Sequence, residues 1–278
     1  MKTTIIVDST ADIPESLKHR FQVVPLTVHF GDEEYIDGVT IDHKTFYEKL
    51  VESDVLPTTS QASPAAFGAE LEKLEGEAVV ITIASELSGT FQSATIAAQD
   101  YEGRVFVVDS RTAAIGAGIL AQLALELAEA GMGAREIAEQ LTVQREKIRV
   151  VALLDTLEYL KRGGRISRTV ALAGSLLSIK PVIAIRDGGI HILGKARGSR
   201  QGNNLLVQEI EKAGGVDFDK PLLLGYTGLS DVLLRKYVED SRRLWEKGTQ
   251  APPETIIGSV IGTHAGPGAV AVAFFSKE

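Results

Sequence analysis

Short β-rich runs alternate with helical patterns through the first half of the chain, and this order constrains the fold more than any other feature. Residues 4–7, 23–30, 78–83 and 105–108 are short stretches rich in β-branched or aromatic residues, as strands are. Between them, Ser63 followed by Pro64 has the pattern of an N-cap and first helical position, and Phe67, Leu71 and Leu74 then repeat at helical spacing up to Gly76. Ile119, Leu120, Leu123 and Leu127 form a second apolar face ending near Gly131 and Gly133, and Ile137 and Leu141 begin a third. Strands alternating with helices imply a mainly parallel sheet covered on both faces, an α/β fold.

The second half is organised differently. Residues 150–154 have strand character, Asp155 and Glu158 make an acidic capping pair for a helix over 156–162, and Gly163-Gly164 ends it. Two strand-like runs, 181–186 and 190–196, flank Asp187-Gly188-Gly189, a strong hairpin signal. A helix over 203–212, a strand at 222–226, a long amphipathic helix over 233–245 and strands near 256–261 and 270–275 complete the pattern. Hairpins mixed with helices imply an α+β domain. A chain of 278 residues exceeds one average domain, so the expectation is an N-terminal α/β domain over 1–145 and a C-terminal α+β domain over 146–278.

Three separated segments share a chemistry: Thr58-Thr59-Ser60-Gln61, Ser88-Gly89-Thr90-Phe91-Gln92-Ser93 and Gly262-Thr263-His264-Ala265-Gly266-Pro267-Gly268. Each combines hydroxyls or small residues with a strongly apolar neighbourhood. Together they would form a neutral cup for an oxyanion over a hydrophobic floor, suited to a ligand with a carboxylate head and an oily tail. Ser88-Gly89-Thr90 follows a strand and precedes a helix, where open α/β sheets place ligands and where free N–H groups favour an anion. The plainer alternatives are a Ser88 helix cap and, at residues 58–61, a polar turn feeding Ser63. The third segment is a constrained turn between two strands that presents His264.

Composition removes several function classes. Cysteine is absent, so disulfides, thiol nucleophiles and Cys-ligated metals are excluded. His19, His29, His43 and His191 show no ligand spacing, which argues against a metal site. There is no G-x-x-x-x-G-K-[ST] and no G-x-G-x-x-G phosphate loop. A net charge of −8 argues against general nucleic-acid binding. The apolar run before Asp8 is too short for a secretory signal, and no apolar stretch is long enough to span a membrane, so the expected location is cytoplasmic. Two basic clusters stand out in this acidic chain: Tyr159-Leu160-Lys161-Arg162-Gly163-Gly164-Arg165-Ile166-Ser167-Arg168, and Lys195 with Arg197 and Arg200. They are either solvated faces or docking points for anionic lipid headgroups or an acidic partner.

Taken in order, these motifs resemble the DegV family of bacterial fatty-acid-binding proteins, lipid-carrier subunits of fatty acid kinase. The resemblance spans the chain: Val7-Asp8-Ser9-Thr10-Ala11-Asp12, Thr59-Ser60-Gln61, Leu87-Ser88-Gly89-Thr90, Val108-Asp109-Ser110, Tyr159 through Ser167, Ile179-Lys180-Pro181, Lys195-Ala196-Arg197-Gly198 and Thr263 through Gly268. It implies two α/β domains with one fatty acid between them, its carboxylate held by Thr59 and Ser88 with His264 in the same network. Backbone groups of Gly89 and Thr90 contribute, and Arg197 matches an arginine beside the head group, with Arg165 another candidate there or at a docking surface. Ala62 stands where the family often has proline, a change in loop stiffness that removes no donor. The implied partner is a separate kinase subunit that brings ATP and magnesium, so no intrinsic cofactor is expected. Two other readings compete. A hydrolase would use Ser88 and His264 as nucleophile and base, although Ser88 lacks a G-x-S-x-G elbow. A lipid-sensing regulator would use the same pocket.

Overall fold

The computed structural model describes residues 3–166, 179–249 and 251–277. Ser167 and Arg168, at the end of the first basic cluster, lie outside the described residues. In chain order the strands are β1 (Thr3–Asp8), β2 (Gln22–Val24), β3 (Thr27–Phe30), β4 (Glu33–Ile36), β5 (Thr58–Ser60), β6 (Glu77–Thr82), β7 (Val105–Asp109), β8 (Ile148–Leu153), β9 (Ile179–Arg186), β10 (Gly189–Arg197), β11 (Leu223–Tyr226), β12 (Glu254–Ile256) and β13 (Val270–Phe275). The order β2-β1-β6-β7 makes a four-stranded sheet that is parallel throughout, and β4-β3-β5 makes a small antiparallel one. The order β10-β9-β8-β13-β11-β12 makes a six-stranded sheet, antiparallel except for the β11–β12 pair. The α/β architecture anticipated from the alternating pattern is therefore present.

Helix Ile115–Glu129 joins the two large sheets, packing on β1 and β6 on one side and on β8, β11 and β13 on the other. Its first seven residues are all buried, followed by Leu123 and Ala124. A helix between two sheets must be apolar all round. The single face expected from Ile119, Leu120, Leu123 and Leu127 is thus only part of its buried surface. One continuous core runs from Ile5, Val7 and Ile81 through this helix to Ala152, Ala271 and Phe275.

Several local expectations hold. Ser63 caps helix Pro64–Leu71 by accepting the Ala66 N–H at 3.1 Å. Asp187 and Gly188 both have positive φ, 52° and 79°, the type I′ turn that the β9–β10 hairpin requires. Others are corrected by the structure. The single strand expected over 23–30 is two strands in different sheets, because Pro25 cannot donate to a ladder. Asp155 does not cap a helix; it pairs with Lys180 at 2.5 Å, and the helix is Glu158–Arg162. The helix expected over 203–212 begins earlier, at Gly198, where Gln201 Oε1 accepts the Arg197 N–H at 2.7 Å. The long helix expected over 233–245 is broken at Ser241 into Val232–Asp240 and Arg242–Trp245, and the Ser241 hydroxyl donates to the Tyr237 carbonyl and accepts from Trp245 Nε1.

The largest correction concerns residues 256–268. The expected strand near 256–261 and the turn after it are instead β12 followed by helix Ser259–Ala265. Val260, Ile261 and Thr263 favour a strand locally. Tertiary contacts override that preference: Val260 is buried in the core containing Phe46 and Tyr47, and helix His43–Glu52 packs against this short helix. Tyr47 donates to the Ile257 carbonyl at 2.8 Å and Asp12 Oδ1 accepts the Gly258 N–H at 2.7 Å, which secures the helix start. Burial holds the Asp12 carboxyl well above the usual carboxylate range. Among the described residues no helix is long and apolar enough to cross a membrane.

Candidate functional site

The segments following β6 and β7 meet one face of the six-stranded sheet around a cavity of about 370 Å³. This is the position where open α/β sheets bind ligands, outside the carboxyl ends of their strands. Strand register explains why there is space. Ile183, Ala152 and Ala271 stand opposite one another on β9, β8 and β13, and all three line the cavity. Two adjacent alanines on central strands, where bulky residues are the rule, open a trough in the sheet face. Leu154, Leu160, Ile185, Ile190, Ile257 and Ile261 complete an apolar wall.

One part of the lining is polar, and it brings together the three hydroxyl-rich segments. Thr59 sits on β5, which pairs antiparallel with β3, and its Oγ1 is 2.9 Å from His264 Nε2. His264 projects from the last turn of helix Ser259–Ala265. Ser88 precedes helix Thr90–Ala98; its Oγ is 2.9 Å from Thr90 Oγ1 and accepts the Thr90 N–H at 3.3 Å. Thr59, Ser88, Gly89, Arg165 and His264 all line the cavity. Thr90 is fully buried behind Ser88 and outside the lining, so it orients the Ser88 hydroxyl. Arg197 is not brought to the cavity: it ends β10 opposite Ile179 and its side chain is exposed.

Gln61 and Arg165 have larger parts in this geometry than their motifs indicated. Gln61 lines the cavity and donates from Nε2 to Ser93 Oγ at 2.9 Å and to the Gly89 carbonyl at 3.4 Å, tying β5 to the Ser88 loop. Arg165 donates from Nε to the Leu87 carbonyl at 3.2 Å and from Nη1 to the Gly163 carbonyl at 2.6 Å. It is the only cation in the cavity lining among the described residues. Burial, with Arg165 nearby adding to it, pushes the His264 imidazole down to about 4, so it is neutral at pH 7. Its Nδ1 has no hydrogen-bond partner among the described residues. Ser88 and His264 are bonded to Thr90 and Thr59 respectively, not to each other, and among the described residues no carboxylate orients the imidazole. That arrangement lacks the nucleophile–base pair of a hydrolase.

Gly163 explains how His264 fits. A Cβ at this position would lie 2.2 Å from His264 Nδ1 and 3.2 Å from the Tyr159 carbonyl. Gly163→Ala is therefore expected to displace the imidazole from Thr59 and cost about 1–3 kcal/mol of stability. Chemical denaturation measures the cost, and loss of the Thr59–His264 coupling appears as a changed His264 titration in NMR spectra.

Comparisons with known proteins agree with one another. The family model described as an uncharacterised protein of the DegV family matches residues 2–277. A DegV domain-containing protein of Caldanaerobacter subterraneus is 35% identical over 289 residues, covering 99% of each chain. Among solved structures, a fatty-acid-binding DegV family protein from Thermus thermophilus superposes with a TM-score of 0.87 at 30% identity, covering 99% of this chain and 100% of that one. DegV from Bacillus subtilis, described as a fatty acid binding protein, gives 0.82 at 29% identity with full coverage of both.

Proposed function

The chain belongs to the DegV family, and on that premise we propose that it binds one long-chain fatty acid in the cavity and presents the carboxylate to a separate ATP-dependent kinase subunit. The observation that carries this reading is a mostly apolar cavity with one polar end built from Thr59, Ser88, Gly89 and His264. Transfer of each methylene from water contributes about 0.8 kcal/mol, so a tail of about fifteen gains on the order of 12 kcal/mol before costs. A carrier that takes its ligand from a membrane must match that gain by enclosing the tail. The sheet face around Ala152 and Ala271 supplies the enclosure.

The head group has a second requirement: its carboxylate must remain nucleophilic. In the proposed reaction one carboxylate oxygen attacks the γ-phosphorus of ATP held with magnesium by the partner, ADP leaves, and an acyl phosphate forms. Neutral hydroxyls and a neutral His264 make most of the bonds to the anion, and Arg165, the one cation in the lining among the described residues, adds a single charge-assisted hydrogen bond short of a bidentate clamp. This chain would contribute no catalytic group of its own, and its contact with an anionic membrane surface would be transient.

Native mass spectrometry before and after denaturing extraction tests the reading. Loss of one fatty-acid mass is expected; protein that is empty and refuses added fatty acid overturns it. Ser88→Ala should leave the fold intact and weaken carboxylate binding by about 1 kcal/mol, roughly fivefold, measured by fluorescent fatty-acid displacement. Unchanged affinity together with an unchanged phosphorylation rate would remove Ser88 from the site.

A further inference from the structure

A separate cleft of about 500 Å³ opens between the segment after β7, the start of β8 and the β9–β10 turn. Ile185 is the one residue that it shares with the lining of the cavity described above, and none of that cavity's polar groups reaches it. Its lining is basic although the chain carries a net charge of −8: Arg111, Arg145, Arg149, Arg186 and Lys212 all contribute. These residues come from separate stretches of sequence, so the fold gathers them and no local basic run does. Arg111 is held in place at some cost. Its φ of 53° lies in the left-handed region, which a residue with a Cβ avoids, and Asp109 Oδ1 accepts its N–H at 2.8 Å.

The neighbouring carboxylates do not neutralise this set. Arg111 Nη1 is 2.9 Å from Glu146 Oε1, and its Nη2 is 3.1 Å from Asp187 Oδ1. Glu146 is shared with Arg145, whose buried Nε lies 3.4 Å from it without making a hydrogen bond. Glu209 is likewise shared, by Lys212 at 2.7 Å and Arg186 at 4.0 Å. Arg149 has no ion-pair partner among the described residues; its Nη1 donates to the Glu146 and Ile148 carbonyls at 2.7 and 3.0 Å. Asp109 stands outside the lining, and its carboxylate accepts from Ser85 and from the Arg111 N–H. Five cations against three carboxylates leave an excess of two positive charges.

We propose that this cleft binds a phosphate dianion, either free or as the monoester of a small molecule. One dianion neutralises an excess of two charges. Guanidinium groups dominate the lining, and their planar forks match the spacing of phosphate oxygens. Donors are also left over for a ligand: Arg149 Nε and Nη2 make no hydrogen bond among the described residues, and the Arg186 guanidinium approaches Glu209 no nearer than 4.0 Å. The charges converge on a bounded cleft of ligand size instead of spreading along a face, which suits a small anion better than a nucleic acid. This site is independent of what fills the cavity.

Isothermal titration calorimetry of the purified full chain tests the site, with inorganic phosphate and phenyl phosphate as probes and chloride holding the ionic strength constant. One saturable site with a dissociation constant below about 1 mM is expected. Tighter binding of phenyl phosphate assigns the cleft to phosphorylated small molecules, and tighter binding of inorganic phosphate assigns it to the free anion. Arg149→Gln and Arg186→Gln should each raise the dissociation constant about tenfold, with circular dichroism verifying that each variant is folded. Arg162→Gln, at an exposed position of the other basic cluster, should leave it unchanged. Three results overturn the proposal: no binding of either probe, binding that survives both cleft substitutions, or an equal loss in Arg162→Gln. Polyglutamate that binds in their place, sensitive to Arg149 and Arg186, would assign the cleft to an acidic protein segment and equally overturn it.

Discussion

Ala271→Phe is expected to give a folded protein that recovers no long-chain fatty acid in native mass spectrometry. Ala271 is buried on β13 beside Ala152, and both line the trough in which the tail would lie. A phenyl ring there occupies the space that methylenes need. Excluding about four methylenes removes about 3 kcal/mol, on the order of a hundredfold in affinity. Overpacking a core normally costs about 1–3 kcal/mol, but here the added ring enters an existing cavity, so the fold should tolerate it. Shorter fatty acids that end before Ala271 should keep their affinity, measured by isothermal titration calorimetry. A folded variant that still carries the long acid would show that the tail runs elsewhere.

The same trough shows where a sequence stops being informative. Ala152 and Ala271 sit in strands that a reader finds easily, since 270–275 and 150–154 are apolar and β-branched. Nothing local marks their alanines as a cavity floor. Only the register, which sets Ile183, Ala152 and Ala271 in one row, turns small side chains into space. The polar end of the cavity was more legible because hydroxyls, glycines and a histidine are conspicuous in apolar surroundings. Gln61 was visible within the same motif, but its bonds to Ser93 and Gly89 depend on how β5 meets the Ser88 loop.

Secondary structure divides along the same line. The Asp187-Gly188 turn and the Ser63 cap were predictable because a two-residue hairpin and a helix N-terminus each demand specific local chemistry. Helix Ser259–Ala265 was not predictable, because Val260, Ile261 and Thr263 prefer a strand and only packing on Phe46 and Tyr47 reverses that preference. His264 is therefore a candidate drawn from a segment whose element type the local pattern misassigns. Residue chemistry and element type are separable kinds of information: His264 lines the cavity although the element that carries it is a helix and not a turn between strands.

Arg165→Met is the second substitution with a large expected effect, and it reports on two properties at once. It removes the one cation that lines the cavity among the described residues, so affinity for an ionised fatty acid should fall by about 1.5–3 kcal/mol, roughly ten- to a hundredfold. It also removes a positive charge beside His264. The imidazole, now at about 4, should rise yet stay below 6.5, because burial is the larger cause of its depression and remains. The sign of the stability effect follows. The unfolded chain takes up the His264 proton near pH 6.5 and the folded chain only near 4, so acidification across that interval favours unfolding. A raised folded-state value narrows the interval, and the fall in Tm between pH 6.5 and 4 should be smaller in Arg165→Met than in the wild type. Arg165→Lys keeps the charge but not the two-carbonyl geometry of Leu87 and Gly163, so it should leave His264 low while still weakening binding. NMR titration of His264 in the three proteins separates these outcomes: an unmoved imidazole in Arg165→Met would mean that burial alone holds it neutral, and that Arg165 acts on the ligand without acting on the histidine.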